Sequence, residues 1–306
     1  MSVLLAAVLS LAGCARTPPD STSAPTASPT PSDTAEATVL DLTAPGVARE
    51  VVADLLEAAG VRRAIMVTVT PIEAHVAVVR DGVAETWAWR DEKIQQVTSD
   101  ITYVTQVSFS PDEFNLSDVG ALFRAARAVS GSAENQELQV VEYSGGSVSM
   151  TVSTSPESRT VFFRPDGTLL PTLDYTSEWG LTQGYDDVVG VRGVATALGF
   201  GSQLGVYLDL PGSDAGTVVR RQRAARTPVI QTMRSEQAIP PPFDPALVRP
   251  QAVWAVVEGL RDAGSFTLDQ SWSCVADDRE QTGTPRLYCE IGTERLTADL
   301  SGNRLE

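Results

Sequence analysis

From Thr43 onward the apolar residues follow two alternating rhythms. Val47, Val51, Leu55, Leu56 and Ala59 recur at three- and four-residue intervals behind Thr43 as cap and Pro45 in the first turn, and Gly60 follows, so the spacing predicts a helix. A period of two then predicts strands over 64–70, 74–80 and 83–90, the first stopped by Pro71 and the last two joined by the hairpin dipeptide Asp81-Gly82. A further strand is expected over 101–109, and a second helix over 117–129 with Val119, Leu122, Phe123, Ala126 and Val129 inward and Gly131 beyond its end. Strands over 137–143, 147–153 and 159–163 complete the unit, with Gly145-Gly146 and Pro165-Asp166-Gly167 as turns.

The same order then returns. A helix is expected over 187–198, closed by Gly199, then strands over 203–210, 217–223 and 227–233, the first of them stopped at Pro211 as its counterpart is at Pro71. Beyond Pro240-Pro241-Pro242 come a helix over 250–262, with Val253, Trp254, Val257 and Leu260 inward, and strands over 266–275, 286–291 and 295–299. Phe114-Asn115 pairs with Phe243-Asp244, and Arg164-Pro165-Asp166-Gly167 with Leu300-Ser301-Gly302-Asn303. The pattern predicts two tandem copies, 43–175 and 176–306. Short turns make antiparallel sheets, and helices must cover one face of each, so the expected class is α+β. This arrangement looks like the helix-on-sheet units of small secreted inhibitors and PepSY-type domains, a likeness of fold that carries no function.

The N-terminus reads differently. Residues 3–12 (VLLAAVLSLA) form an apolar run too short to cross a ~30 Å hydrocarbon core, but of the length of a signal-peptide core. It ends in Leu11-Ala12-Gly13-Cys14, which resembles the lipobox of bacterial lipoproteins over about fourteen residues, although no Lys or Arg precedes Cys14. The resemblance implies that 1–13 are a signal peptide, that the Cys14 sulfur takes a diacylglyceryl group, and that in some bacteria the new amino terminus is acylated as well. Two acyl chains suffice for stable anchoring, at ~0.8 kcal/mol per buried CH₂.

Within the linker expected over 14–42, 20 of the 24 residues in 15–38 are Pro, Ser, Thr or Ala. Such a segment buries too little apolar area to offset its ordering entropy. As extended PPII, at ~3.1 Å per residue, it reaches at most about 75 Å, and its composition permits O-linked sugars. The expectation is a chain anchored by lipid on the extracytoplasmic face of the cell membrane.

Composition narrows the partners. The net charge of -16 repels phosphate backbones, so nucleic acid is not an expected partner, and it offers no polybasic attraction to lipid headgroups. Lys93 is the only lysine against 22 arginines, a usage that resembles high-GC Gram-positive bacteria. Outside the membrane Cys274 and Cys289 are expected to form a disulfide around a turn near 280–283, worth ~3 kcal/mol for a loop of about 15 residues. Two thiols without a nearby histidine make a poor metal site.

Motif chemistry is sparse. His75 is the sole histidine and is expected to face solvent from a strand; the chain has no nucleophile elbow, phosphate loop, HExxH or Ser-x-x-Lys around Lys93. Trp87 and Trp89 share a strand face and could form an aromatic platform, although packing under a helix is the commoner fate. Tyr175 and Trp179 lie in the stretch between the copies and are the weaker binding candidates, while Arg220, Arg221, Arg223 and Arg226 read as gatekeepers of a strand edge. No cofactor, metal or catalytic group is assigned. The expected function is a non-catalytic module that binds an envelope protein or a small ligand. The alternatives are an envelope hydrolase using paired carboxylates such as Asp186-Asp187 or Asp277-Asp278, and an envelope-assembly lipoprotein.

Overall fold

The structure, a computed structural model, describes residues 40–98, 101, 105–157 and 159–305. The signal peptide, Cys14 and nearly all of the linker expected from the sequence lie outside the described residues. No helix among the described residues is long and apolar enough to cross a membrane.

Helix α1 (Val47–Ala59) starts later than Thr43, because the Asp41 carboxylate captures the Thr43 N–H and hydroxyl in a turn of its own. Glycines in the left-handed region bracket the helix, Gly46 at φ 86° and Gly60 at φ 69°. Strands β1 (Met66–Val69), β2 (Glu73–Arg80), β3 (Val83–Arg90) and β4 (Lys93–Val97) form one antiparallel meander. After a 3-10 turn (Pro111–Glu113) and α2 (Val119–Ser130), strands β5 (Glu137–Ser144), β6 (Ser147–Ser153) and β7 (Val161–Phe163) form a second. β1 pairs with β5 and joins them in the order β4-β3-β2-β1-β5-β6-β7. Both helices bury their apolar stripes, Val52 and Leu55 from α1 and Leu122 and Phe123 from α2, on one face of this sheet against Val67, Val76, Val140 and Met150.

The second sheet repeats the plan. Helix α3 (Glu178–Val189) precedes β8 (Ala197–Gly201), β9 (Gly205–Pro211), β10 (Thr217–Arg223) and β11 (Ile230–Ser235). A 3-10 turn (Pro245–Leu247) and α4 (Pro250–Asp262) lead to β12 (Trp272–Asp277), β13 (Arg286–Ile291), β14 (Glu294–Ala298) and β15 (Arg304–Leu305). The order is β11-β10-β9-β8-β12-β13-β14-β15, the first sheet's order with one short strand added. The class is therefore α+β with two antiparallel sheet units. The β5–β6 turn meets the edge strand β11: Ser144 donates to the Gln231 carbonyl, and the Gln231 amide donates to the Gly145 carbonyl.

Three sequence expectations fail, each for a physical reason. The fourth strand is 93–97 and not 101–109, among whose described residues Phe109 alone pairs, in a bridge to Ala64. Its turn, Asp91 and Glu92 at φ 51° and 56°, holds two left-handed residues without the glycine that usually announces them. Helix α3 runs 178–189 and not 187–198. Glycines at 180 and 184 disguise it, and they are needed because a Cβ would sit 1.9 Å from the Asp174 carbonyl oxygen at one and 2.8 Å from Val206 at the other. Residues 197–201 are instead β8, buried at every position and so without alternation.

With these corrections the correspondence between copies shifts. Phe109 bridges Ala64 as Phe243 bridges Ala195, and each phenylalanine leads into a 3-10 turn through Ser110-Pro111 or Asp244-Pro245. Phe243-Asp244 thus answers to Phe109-Ser110 and not to Phe114-Asn115. Pro211 ends the second strand of its copy, whereas Pro71 follows the first. The last turns do coincide, one residue out of the expected register: Gly167 N–H donates to the Arg164 carbonyl as Gly302 N–H donates to that of Asp299.

Cys274 and Cys289 face each other across β12 and β13 with Cα atoms 4.1 Å apart, form the expected disulfide and are buried. The turn between them is organised by the buried Asp278, which accepts from the Thr282 and Gly283 N–H groups. Replacing both cysteines by alanine is expected to lower the unfolding free energy by about 3 kcal/mol, read from denaturant melts. An unchanged midpoint would place the crosslink outside the cooperative unit.

Candidate functional site

The aromatic residues singled out in the sequence do not form a platform. Trp89 is buried in the first core and Trp87 packs against that core, both on the sheet face that α1 covers. Tyr175 is buried in the second core and donates its hydroxyl to the Arg223 carbonyl at 2.5 Å; burial pushes its pKa well above the usual tyrosine value. Trp179 stands in the first turn of α3 with 54% of its surface exposed, so the two are not brought together. His75 is half-buried, its Nε2 3.6 Å from the Glu73 carboxylate.

The arginine cluster does not guard an edge, because β10 lies between β9 and β11. Arg220 clasps Asp209 through two 2.8 Å bonds while its guanidinium lies 3.6 Å from the centre of the Tyr207 ring. Arg234 of β11 grips the same carboxylate from a second side, also at 2.8 Å. Arg221 donates to the carbonyls of Val188 and Asp187, capping the C-terminal end of α3. Arg223 is fully buried, bonded to the Asp187 carboxylate at 2.9 Å and to the carbonyls of Pro171, Ala224 and Thr227. Arg226 alone of the four is exposed. The adjacent acids are similarly engaged: Asp187 by Arg223, Asp277 by Arg279 at 2.7 Å, and Asp278 by its turn. These side chains crosslink the second half.

An opening exists elsewhere, along α1. A groove of about 710 Å³ lies between this helix and residues 110–117. One wall is the α1 stripe Arg49, Val52, Ala53, Leu56 and Glu57, extended past the helix end by Val61 and Arg62. Phe114 and Leu116 supply apolar floor, and Asp112, Asn115 and Asp166 the opposite rim. The backbone explains why it stays open. Segment 110–117 is tied at one end by the Ala64–Phe109 bridge and at the other by the Gly46 N–H, which donates to the Ser117 carbonyl. Between these ties it spans the whole length of α1, and among the described residues no hydrogen bond or ion pair joins the lining side chains of α1 to it across the gap.

The second copy shows the closed alternative. The buried Val51, Val52, Leu55 and Ala59 of α1 recur in spacing as Gly180, Leu181, Gly184 and Val188 of α3, which sets Leu56 opposite Tyr185, Ala53 opposite Thr182 and Arg49 opposite Glu178. Tyr185 reaches across and donates its hydroxyl to the Pro245 carbonyl at 3.0 Å, and Gln251 donates to Thr182 at 3.3 Å. Both partners are counterparts of groove-facing positions. Sequence reasoning named Leu56, Phe114, Asn115 and Asp166 only as positions of the fold and assigned no lining residue to a site, because the contrast between Leu56 and Tyr185 is visible only once α3 is placed correctly.

No protein-family model matches the chain, and no curated protein matches it.

Burial alone would raise the pKa of Asp209, but hydrogen bonds and charge from Arg220 and Arg234 outweigh it and hold the carboxyl below the usual aspartate value. A depressed folded-state pKa gives stability that is complete above the unfolded value of ~3.9 and is lost as the pH falls through the folded one. Asp209→Asn is therefore expected to be less stable than the parent at neutral pH and to converge with it below about pH 4, in denaturant melts taken across that range. A constant gap at all pH values would show that the charge plays no part.

Proposed function

We propose that this protein is an extracytoplasmic lipoprotein, anchored through Cys14, whose folded part binds a small ligand in the α1 groove without catalysing a reaction on it. The anchoring half of the reading is supported by Leu11-Ala12-Gly13-Cys14 behind an apolar run and ahead of a Pro/Ser/Thr/Ala stalk. A buried disulfide suits an oxidising compartment. The binding half is carried by one observation: the gap that Tyr185 bridges in the second copy stands open in the first, over an apolar floor. Its volume falls within the range of small-ligand sites, ~300–1,000 Å³.

Two measurements test the halves separately. Cys14→Ala is expected to abolish metabolic acyl labelling and release the protein from the membrane fraction; retention of both would end the anchoring reading. For the groove, a fragment screen by NMR is expected to shift amide signals clustered over 49–62 and 110–117, and Leu56→Tyr to remove those shifts. Shifts that cluster elsewhere, or that survive Leu56→Tyr, would refute the site.

A further inference from the structure

Resting on the groove reading above, we infer that the ligand class is a short peptide with free termini and apolar side chains. The wall sets the length. Arg49 and Glu57 are eight residues apart on α1, ~12 Å at 1.5 Å per residue, which an extended chain covers in three or four residues at ~3.3 Å each. Val52, Leu56, Val61, Phe114 and Leu116 offer apolar contact along this path, while Ser110, Asn115 and Ser117 place neutral donors and acceptors within reach of a ligand backbone.

The charges argue for both termini. Segment 110–117 runs opposite in direction to α1, since Ala64 ties its beginning and Gly46 its end. Asp112 therefore sits towards the Arg62 end, and Asn115, which donates to the Asp166 carbonyl, brings Asp166 towards the Arg49 end. Each end of the groove thus carries a cation from the helix side and an anion from the facing side, and Glu57 adds a second anion at the Arg62 end. Among the described residues no ion pair joins them across the gap: Arg49, Arg62, Glu57 and Asp112 make none, and the Asp166 carboxylate turns back to Thr168. A carboxylate meets an arginine and an ammonium meets a carboxylate at either end, so charge selects a zwitterion, and Glu57 favours its ammonium at the Arg62 end.

Other small-ligand classes fit less well. A sugar calls for an exposed ring face, and the one aromatic in the lining, Phe114, is buried edge-to-face against Phe109 at 5.3 Å. A fatty acid offers one charge to a site carrying both signs at both ends, and would leave the neutral polar rim unsatisfied.

Calorimetric titration of the purified full chain in detergent, with three probes, tests the inference. Free-ended Ala-Leu-Ala-Leu is expected to bind. Its N-acetylated, C-amidated form should bind about tenfold more weakly, as expected for two exposed ion pairs lost, and decanoate should bind more weakly still. Arg49→Gln combined with Arg62→Gln should weaken the free peptide without affecting the capped one. Leu56→Tyr should abolish peptide binding, and Ala53→Phe, at an exposed position of the same wall, serves if Leu56→Tyr does not fold. Equal binding of free and capped peptide, binding of decanoate alone, or binding of none of the three overturns the peptide assignment. If decanoate binds alone and Leu56→Tyr blocks it, the groove itself survives. Peptide binding that persists in both groove-filling variants overturns the groove and the peptide assignment together.

Discussion

Each sheet is two local meanders that meet at a single long-range seam, β1 against β5 in the first copy and β8 against β12 in the second. The meanders close through turns of a few residues and cost little to form, whereas the seam brings together residues such as Val67 and Val140. Closure entropy grows slowly with loop length, and the continuous buried face that the seam creates under two helices outweighs it. The seam also dictates the return path of the chain. The fourth strand of each copy lies at the far edge, so the backbone must travel back before the second helix, and it is caught beside the seam by the Phe109 or Phe243 bridge. The groove along α1 is a by-product of that return.

What could be read from the residues followed from how strongly each element signals its period. Helix α4 and strand β13 carry clean patterns and, with β10, were predicted with the boundaries that the structure has. β8 is buried on both faces and β4 is exposed along nearly all of its length, so neither alternates. The two glycines of α3 lower its helix propensity in exchange for close packing, Gly180 on the Asp174 backbone and Gly184 on Val206 of β9. One misplaced helix then displaced the comparison of the first meanders of the two copies by a strand. The class and the tandem order survived that error, because they depend on the succession of elements more than on any boundary.

The site was harder to read than the fold. Residues that look chemically active in one dimension, the arginines of β10 and the acids Asp187, Asp277 and Asp278, turn out to be held in ion pairs or by the backbone. Arg221 reaches carbonyls at the end of α3 and Arg223 the Asp187 carboxylate beside them, and a guanidinium with five donors can do this from a buried position where a lysine could not. The groove is lined instead by residues with no signature of their own. Its meaning comes from absence of reach: Leu56 stops short where Tyr185 does not.

That difference leaves the protein carrying its own blank. Two versions of one scaffold travel in the same polypeptide, one gated open by a leucine and the other bolted by a tyrosine. Under the proposed reading a ligand would perturb α1 and leave α3 as an internal baseline. Duplication has in effect supplied the control alongside the experiment, and exchanging the two side chains would swap their roles within a single chain.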